Sequence, residues 1–244
     1  FGKILNKSKN PLIILGTSAI NNEAGSVVLQ SCASFAKKIQ KNNNVNPLNI
    51  LNQDVSRVGA LELKYYNKEF DNNFTLKLSN HLSKKKPVVF LIGLDEIDLS
   101  VLKDSFVIYM GHNGDRSASV ADIILPTPAY TEKSSTYMNI EGRVFQTTKC
   151  HNPLGDAKEE WKIFRALSET LNKKLNFNNL SELRQEIIYN YKQLAHLNET
   201  NPIKKISFGK NHKIKNITIN YNIKNFYMND SISRSSETMA LCTK

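Results

Sequence analysis

The residues best placed for chemistry are Gly111, His112, Asn113, Gly114 and Asp115, which directly follow a short apolar run. Glycines at the carboxyl end of a buried strand let a backbone approach a phosphate, and open α/β sheets bind ligands at that edge. His112 beside Asp115 could also serve as an oriented general base. The glycines form no GxGxxG frame, however, and no nucleophile is positioned by spacing. A tight turn with a solvated histidine is therefore the favoured interpretation.

A second candidate is Cys150 with His151, which could supply half of a metal site. Metal centres take three or four ligands at set spacings, and no further Cys or His lies near this pair in the sequence. The polar run 131–136 (TEKSST) could bind an oxyanion, although a solvated connection is the favoured interpretation. The sequence therefore predicts that this chain contributes no catalytic, cofactor-binding or metal-binding residue.

The carboxylates around these candidates also bear on which ligand could bind. They make this part of the chain acidic, which disfavours an anionic cofactor such as a pterin pyrophosphate. The residues are Asp115, Asp122, Glu132 and Glu141.

The net charge of +11 over 244 residues raises the alternative of a nucleic-acid-binding protein. Residues 1–86 carry 13 Lys+Arg against 5 Asp+Glu and residues 172–244 carry 12 against 5, whereas residues 87–171 carry 8 against 12. The basic stretches are rich in Lys and Asn, with little of the aromatic interleaving that single-strand binders use. Solvated faces are the favoured interpretation, and neutralisation of acidic partner surfaces or lipid headgroups is the alternative.

The three cysteines, Cys32, Cys150 and Cys242, are widely separated. This argues against a disulfide scaffold and against an iron–sulfur cluster held by this chain alone, because such clusters normally take four Cys ligands. The apolar runs are also far shorter than the roughly 18 residues of a membrane span. We therefore expect no direct membrane span.

The elements that must position the candidates form an alternating pattern. Apolar runs bounded by Pro and Gly are typical of strands buried on both faces, and strands alternating with helices predict an α/β fold with a doubly wound, mainly parallel sheet. Between the first two runs, Val28, Cys32, Phe35 and Ile39 form one stripe of a helix predicted over 23–41. The five runs are 11–16, 47–51, 87–93, 105–111 and 121–126.

After residue 126 the pattern changes. Segments 136–140 and 144–148 flank a turn-prone Glu-Gly-Arg and predict an antiparallel pair. A helix follows, with a core-facing stripe predicted for Trp161, Phe164, Leu167 and Leu171.

We predict three segments: an α/β domain over 1–171, a helical and Asn-rich arm over 172–224, and a docking tail over 225–244. The arm is predicted to contain a helix over 181–197, followed over 198–216 by a loop or an ordered arm. The tail starts with an aromatic pair and offers Asp230 and Ser231 as helix caps. A Ser-rich, Met-bearing segment with two aromatic residues is not expected to stay folded alone, so we expect it to dock on another surface.

Residues 111–146 resemble a segment of the molybdopterin oxidoreductases. In that family an Ala-Asp strand ending in Leu-Pro precedes a Glu-Lys stretch that continues into Asn-x-Glu-Gly-Arg. The matching positions here are Ala121, Asp122, Leu125, Pro126, Glu132, Lys133, Thr136, Asn139, Glu141, Gly142, Arg143 and Gln146.

Finer motifs are similar to one branch, the large iron–sulfur subunits (75 kDa or G type) of mitochondrial and alphaproteobacterial complex I. They are the GHxGD loop, the segment WKIxRALSE at 161–169 and the tail FYMNDSISRSSETMA at 226–240. The resemblance implies a structural part of the peripheral arm of NADH:ubiquinone oxidoreductase, on the matrix side of the mitochondrial inner membrane. It also implies that this chain binds no cofactor.

The same resemblance implies that iron–sulfur clusters lie on an N-terminal part or a separate chain. The expected partners are that part and other peripheral-arm subunits, with no nucleic acid. The alternative is a fragment of an active molybdopterin-dependent oxidoreductase, in which the loop 111–116 would touch the cofactor.

Overall fold

The computed structural model describes residues 1–22, 24–41, 46–65, 86–200 and 225–243. These residues form two compact units. The first unit contains residues 1–65, 136–145 and 191–200, and the second contains residues 86–135, 146–190 and 225–243. The segment boundaries after residues 171 and 224 remain predictions.

The first unit is built on a pair of parallel strands, β1 (Ile13–Gly16) and β2 (Leu48–Leu51). Their register pairs Ile13 with Leu48 and Gly16 with Leu51. Both strands were predicted, and so was their parallel direction. The helices of this unit are α1 (Gly2–Lys7), α2 (Gly25–Ile39) and α3 (Arg57–Glu62), with 3₁₀ turns at Thr17–Ala19 and Lys192–Leu194.

Helix α2 confirms the predicted helix, but its buried face differs from the predicted stripe. Gly25 and Ala36 are buried and Cys32 is half-buried, whereas Phe35 is exposed. At Gly25 the backbone comes close, because a Cβ there would lie 1.7 Å from the carbonyl oxygen of Ile20. Of the predicted apolar stripe, Val28, Cys32 and Ile39 are half-buried, and Phe35 is 43% exposed.

The predicted strand pair after residue 135 is confirmed as β6 (Thr136–Met138) and β7 (Val144–Gln146), which form a two-stranded sheet. The Asn139 N–H donates to the Arg143 carbonyl oxygen at 3.1 Å, and the Asn139 side-chain oxygen accepts from the Arg143 N–H at 3.0 Å. Gly142 takes the left-handed conformation that closes the turn, with φ of 74°.

The second unit contains the larger sheet, whose strands are β3 (Val88–Ile92), β4 (Phe106–Gly111) and β5 (Ile123–Pro126). The order is β3-β4-β5, and both pairings are parallel. All five apolar runs are therefore strands in parallel sheets, as predicted. The doubly wound arrangement remains a prediction.

One cluster of buried side chains in the second unit lies on one face of this sheet. Leu91 and Val107 pack there with Leu102 and Tyr109, and each of the four side chains is at most 3% exposed. Asp122 fixes the start of β5 against β4, because its carboxylate accepts a 2.7 Å hydrogen bond from the Val107 N–H.

Helix α4 (Glu160–Thr170) packs on β3 through Phe164, whose ring centroid lies 5.7 Å from that of Phe90. Trp161 is partly buried and meets Phe177 edge-on at 6.4 Å. The predicted stripe is wrong at Leu171, which lies beyond the helix and is 60% exposed.

The two helix ends in this region have local causes. Asn172 adopts a left-handed φ of 54°, which ends α4 just before it. Helix α5 (Leu180–Asn190) is shorter than the predicted 181–197, because the Asn190 side chain donates to the Glu186 carbonyl oxygen at 2.9 Å. The predicted loop 198–216 lies outside the described residues beyond residue 200.

The tail forms two short helices, α6 (Ser231–Arg234) and α7 (Glu237–Leu241). Asp230 caps α6 as predicted, accepting from the Ile232 and Ser233 N–H groups at 2.9 and 3.0 Å. Ser231 is the first helical residue and not the cap, and Ser236 caps α7.

The core arrangement predicts a large effect of truncating Leu91. Leu91→Ala should lower the free energy of unfolding by about 2–5 kcal/mol, because it leaves a cavity in a packed cluster. Leu154→Ala is the matched control, since Leu154 is 76% exposed. Urea denaturation of both variants checks this, and equal losses in the two would refute the placement of Leu91.

The cap on α6 predicts a pH dependence. Backbone hydrogen bonds from Ser233 and Ile232 help to hold the pKa of Asp230 below its ordinary value. Its contribution is therefore complete above the unfolded pKa of about 3.9 and is lost as the pH falls through the lower folded pKa. Asp230→Ala should cost about 1 kcal/mol near neutral pH.

Asp230→Asn separates the charge of the cap from its hydrogen bonds, because asparagine caps helices but does not titrate. Unfolding free energies of the wild type and of Asp230→Asn, measured from neutral pH into acid, should converge as the pH falls. A difference between them that is independent of pH would contradict the assignment.

Candidate functional site

The strands of the second unit end together. Met110 pairs with Ile92, and Gly111 pairs with Pro126, so the chain leaves all three strands on one side. Open parallel sheets bind ligands at this carboxyl end. We call the segments 93–96, 112–117 and 127–132, which follow β3, β4 and β5, the carboxyl edge.

The loop from Gly111 to Asp115 lies at this edge, and the structure explains its glycine by packing. Tyr109 and Gly111 are two residues apart on β4 and share a face of the strand. A Cβ on Gly111 would lie 2.0 Å from the Tyr109 hydroxyl oxygen. That hydroxyl donates to the Asp115 carboxylate and lies 3.1 Å from the Asn113 carbonyl oxygen. Gly111 therefore leaves space for the Tyr109 side chain, which any larger residue would occupy.

The carboxylate of Asp115 is occupied by structural hydrogen bonds. It accepts from the Ser117 and Ala118 N–H groups at 2.9 and 3.2 Å, which fixes the turn after the loop. Burial, together with the hydrogen bond and charge of Asp115, raises the pKa of Tyr109, so the phenol keeps its proton. His112 Nε2 instead lies 3.3 Å from Ser231 Oγ. The structure does not bring His112 and Asp115 together as a base and its orienting partner.

The strongest charged contact at the carboxyl edge joins Asp95 to Arg234. Asp95 is only 6% exposed. The guanidinium donates through Nε to Oδ2 and through Nη2 to Oδ1, both at 2.6 Å, and through Nη1 to Glu96 Oε1 at 3.1 Å. Bidentate pairs of this kind are the stronger class of ion pair. Burial opposes the charge of Arg234, but the hydrogen bond and charge of Asp95 outweigh it and raise the pKa of Arg234.

Polar contacts extend around this pair. The Asn113 side-chain amide donates to the Ser231 carbonyl oxygen at 3.2 Å. Ser117, which is fully buried, donates its hydroxyl to the Leu94 carbonyl oxygen at 2.5 Å and so ties the loop after β4 to the loop after β3. The tail and two loops of the carboxyl edge therefore form one hydrogen-bonded network.

Asp95 and Arg234 were not predicted from the sequence. The sequence contained one indication for Asp95. It lies in the segment after β3, as Asp115 lies in the segment after β4. Arg234 is the only arginine in residues 225–244. Neither observation pairs the two residues, which are 139 positions apart.

The pair Cys150 and His151 does not gather further ligands. His151 Nδ1 lies 2.9 Å from the Asn152 carbonyl oxygen and 3.9 Å from Glu132 Oε1. Within the described ranges, no group of three or more His, Cys, Asp or Glu side chains could hold a metal ion. In the run 131–136, Ser134 Oγ accepts a structural hydrogen bond from the Lys149 N–H at 3.2 Å.

Several carboxylates lie at the carboxyl edge. Asp95, Glu96 and Asp115 place three carboxylates there, and Arg234 is neutralised by the first two. Glu132 is also buried, with its carboxylate accepting from the Ala129 N–H at 3.0 Å. A pterin pyrophosphate would therefore meet repulsion at this edge.

The helices of both units are short or amphipathic. Among the described residues, none of them has the length and apolar character that crossing a membrane requires.

Two family models match the sequence. "Molybdopterin oxidoreductase" matches residues 1–170, and a model of the C-terminal part of the G-type subunits of NADH-ubiquinone oxidoreductase matches residues 197–242. The first covers the α/β sheets and helix α4. The second includes the described part of the tail up to residue 242.

Curated relatives match along the whole chain. The "NADH-ubiquinone oxidoreductase 75 kDa subunit" of Reclinomonas americana is 39% identical over 255 residues, covering 100% of this chain and 35% of the relative. The mitochondrial "78 kDa subunit" of Candida albicans is 39% identical over 254 residues, with coverages of 99% and 34%. The mitochondrial "78 kDa subunit" of Neurospora crassa is 34% identical over 255 residues, with coverages of 100% and 33%.

These relatives are longer, and the chain spans about one third of their length. The likeness nevertheless extends from the first strand to the tail. Because the first family model covers well over half of the 244 residues, the chain belongs to the molybdopterin oxidoreductase family.

Proposed function

We propose that this chain is a cofactor-free structural part of the peripheral, NADH-oxidising arm of NADH:ubiquinone oxidoreductase. In this role it supports the region that carries the iron–sulfur clusters and binds neighbouring subunits. The clusters lie on the N-terminal part of the same subunit or on a separate chain. No residue of this chain takes part in electron transfer or catalysis.

The observation that carries the proposal is the likeness, along the whole of this chain, to subunits named for this enzyme. Two of these relatives are 39% identical to it. The likeness includes the tail, where the second family model matches residues 197–242. Motifs in both parts of the chain therefore support the same assignment.

The geometry of the carboxyl edge supports the cofactor-free part of the proposal. Tyr109, Asp115 and Ser117 direct their polar groups to one another or to backbone atoms. Asp95 and Arg234 neutralise each other. A binding site needs polar groups that remain available to its ligand, and these five residues are engaged within the protein.

The proposed location is the matrix side of the mitochondrial inner membrane. Two of the relatives carry mitochondrial names. The proposed partners are other peripheral-arm subunits and the cluster-bearing part, and no nucleic acid. Attachment to the membrane would then pass through those partners.

Assembly tests the proposal directly. The tagged chain should co-purify with subunits of NADH:ubiquinone oxidoreductase, identified by mass spectrometry. Removing residues 226–244 should reduce the amount of assembled complex, because the tail's contacts are lost. The iron–sulfur spectra of the complex that still forms should be unchanged, because no cluster ligand is removed.

The single substitution Arg57→Gln is a control for this truncation, since Arg57 forms an exposed ion pair with Asp54 and lies in the first unit. Normal assembly of the truncated chain, or purification of the tagged chain without respiratory subunits, would contradict the proposal.

A second candidate is a part of an active molybdopterin-dependent oxidoreductase. It is favoured by the match of the family model to residues 1–170. On this hypothesis the cofactor would lie at the loop 111–116, where the structure places Asp115 and the tail contacts of Asn113.

Elemental analysis of the purified assembly separates the two candidates. We expect molybdenum and tungsten well below one atom per chain, because the carboxyl edge repels an anionic cofactor. Iron measured in the same sample serves as the positive control. Stoichiometric molybdenum or tungsten would favour the enzyme over the structural role.

A further inference from the structure

We propose that the carboxyl edge of the second unit is the binding site, or receptor, for the chain's own tail. In this receptor the buried carboxylate of Asp95 binds the guanidinium of Arg234. The tail is then a built-in occupant of the position where parallel sheets hold ligands. This inference deepens the cofactor-free role, and it rests on the proposed function only in naming the assembly to be examined.

The first argument is the burial of Asp95. A carboxylate that is 6% exposed has lost most of its water, and this loss must be offset by a cation and hydrogen bonds. Both oxygens of Asp95 accept from Arg234 at 2.6 Å. Removing Arg234 leaves the buried charge of Asp95 uncompensated, which is far more costly than losing an exposed pair.

The second argument is that the contacts recognise a helical segment and not a charge alone. Ser231 and Arg234 are three residues apart on α6, so both lie on one face of the helix. Asn113 donates to the Ser231 carbonyl oxygen while Asp95 and Glu96 take the guanidinium. The receptor therefore binds a short helix that carries an arginine one turn after its first residue, and an arginine in an extended segment would not make both contacts.

The third argument concerns what holds this helix in shape. A helix of four residues is too short to form by itself. Asp230 accepts from two backbone N–H groups at its start, and the Ser233 hydroxyl lies 2.9 Å from the Asp230 carboxylate. The cap therefore stabilises the helical conformation in which the receptor binds the segment.

The occupant follows from the same contacts. The acidic edge takes a cation, and the cation seated on it belongs to residues 225–243, which lie in the same compact unit as β3, β4 and β5. A peptide segment of this chain therefore fills the edge.

Hydrogen–deuterium exchange of the chain in the purified complex tests the proposal. Arg234→Gln and Asp95→Asn should each accelerate exchange of residues 225–243 by about tenfold or more, because the tail opens locally. The double variant should exchange no faster than the faster single variant, since both substitutions remove the same contact. Arg57→Gln, which removes one positive charge from an exposed pair, should leave the tail at the wild-type rate.

Wild-type exchange of the tail in Arg234→Gln would overturn the proposal, and so would strictly additive effects in the double variant. Amides of β3 and β4 report whether the sheet stays folded in the same experiment. If the β3 and β4 amides also exchange faster in Arg234→Gln, the variant Arg234→Lys is measured instead. Lysine keeps the charge but cannot form the bidentate pair, so intermediate exchange supports the contact and wild-type exchange overturns it.

The outcome for the tail is separate from the outcome for the proposed function. Absence of respiratory subunits from the purified sample would count against the proposed function alone, because the exchange comparison applies to the chain in whatever form it is recovered.

Discussion

The ion pair between Asp95 and Arg234 joins the end of β3 to the carboxyl-terminal tail. A buried carboxylate at the end of β3 is tolerated only when a cation reaches it, and the cation comes from the tail. The tail is helical there, and Ser231 and Arg234 contact the edge from one face of α6. One electrostatic requirement therefore connects the sheet, the loops after its strands and the carboxyl-terminal segment.

The other polar groups at this edge follow the same logic. Tyr109 directs its hydroxyl to Asp115, Asp115 holds the following turn, and Ser117 bonds to the loop after β3. Each of these groups would be available to a ligand in an open site, and each is satisfied within the chain. Fully satisfied buried networks give rigidity to a fold. At the edge that parallel α/β proteins commonly use for binding, these groups here form contacts within the chain.

Local patterns in the sequence were sufficient for the strands, because apolar runs bounded by Pro and Gly depend only on neighbouring residues. They also predicted the hairpin around Gly142 and the cap at Asp230. Local patterns failed where a distant contact or a single side chain determines the position of a residue. Leu171 was predicted in the core although Asn172 ends the helix before it, and the partner of Asp95 lies 139 positions away. Periodicity contains no information about such pairs.

Membership of the molybdopterin oxidoreductase family and a cofactor-free role are compatible, because a fold does not determine the chemistry of its sites. The likeness lies in the parallel strands and in structural residues such as Asp122, which bonds to the backbone of β4. The chemistry depends on which groups remain available at the carboxyl edge. The positive charge of Arg234 is paired with Asp95 at this edge. The scaffold of a family and the contacts at its carboxyl edge are therefore separate properties, and in this chain that edge is joined to the tail by a buried acid and an arginine.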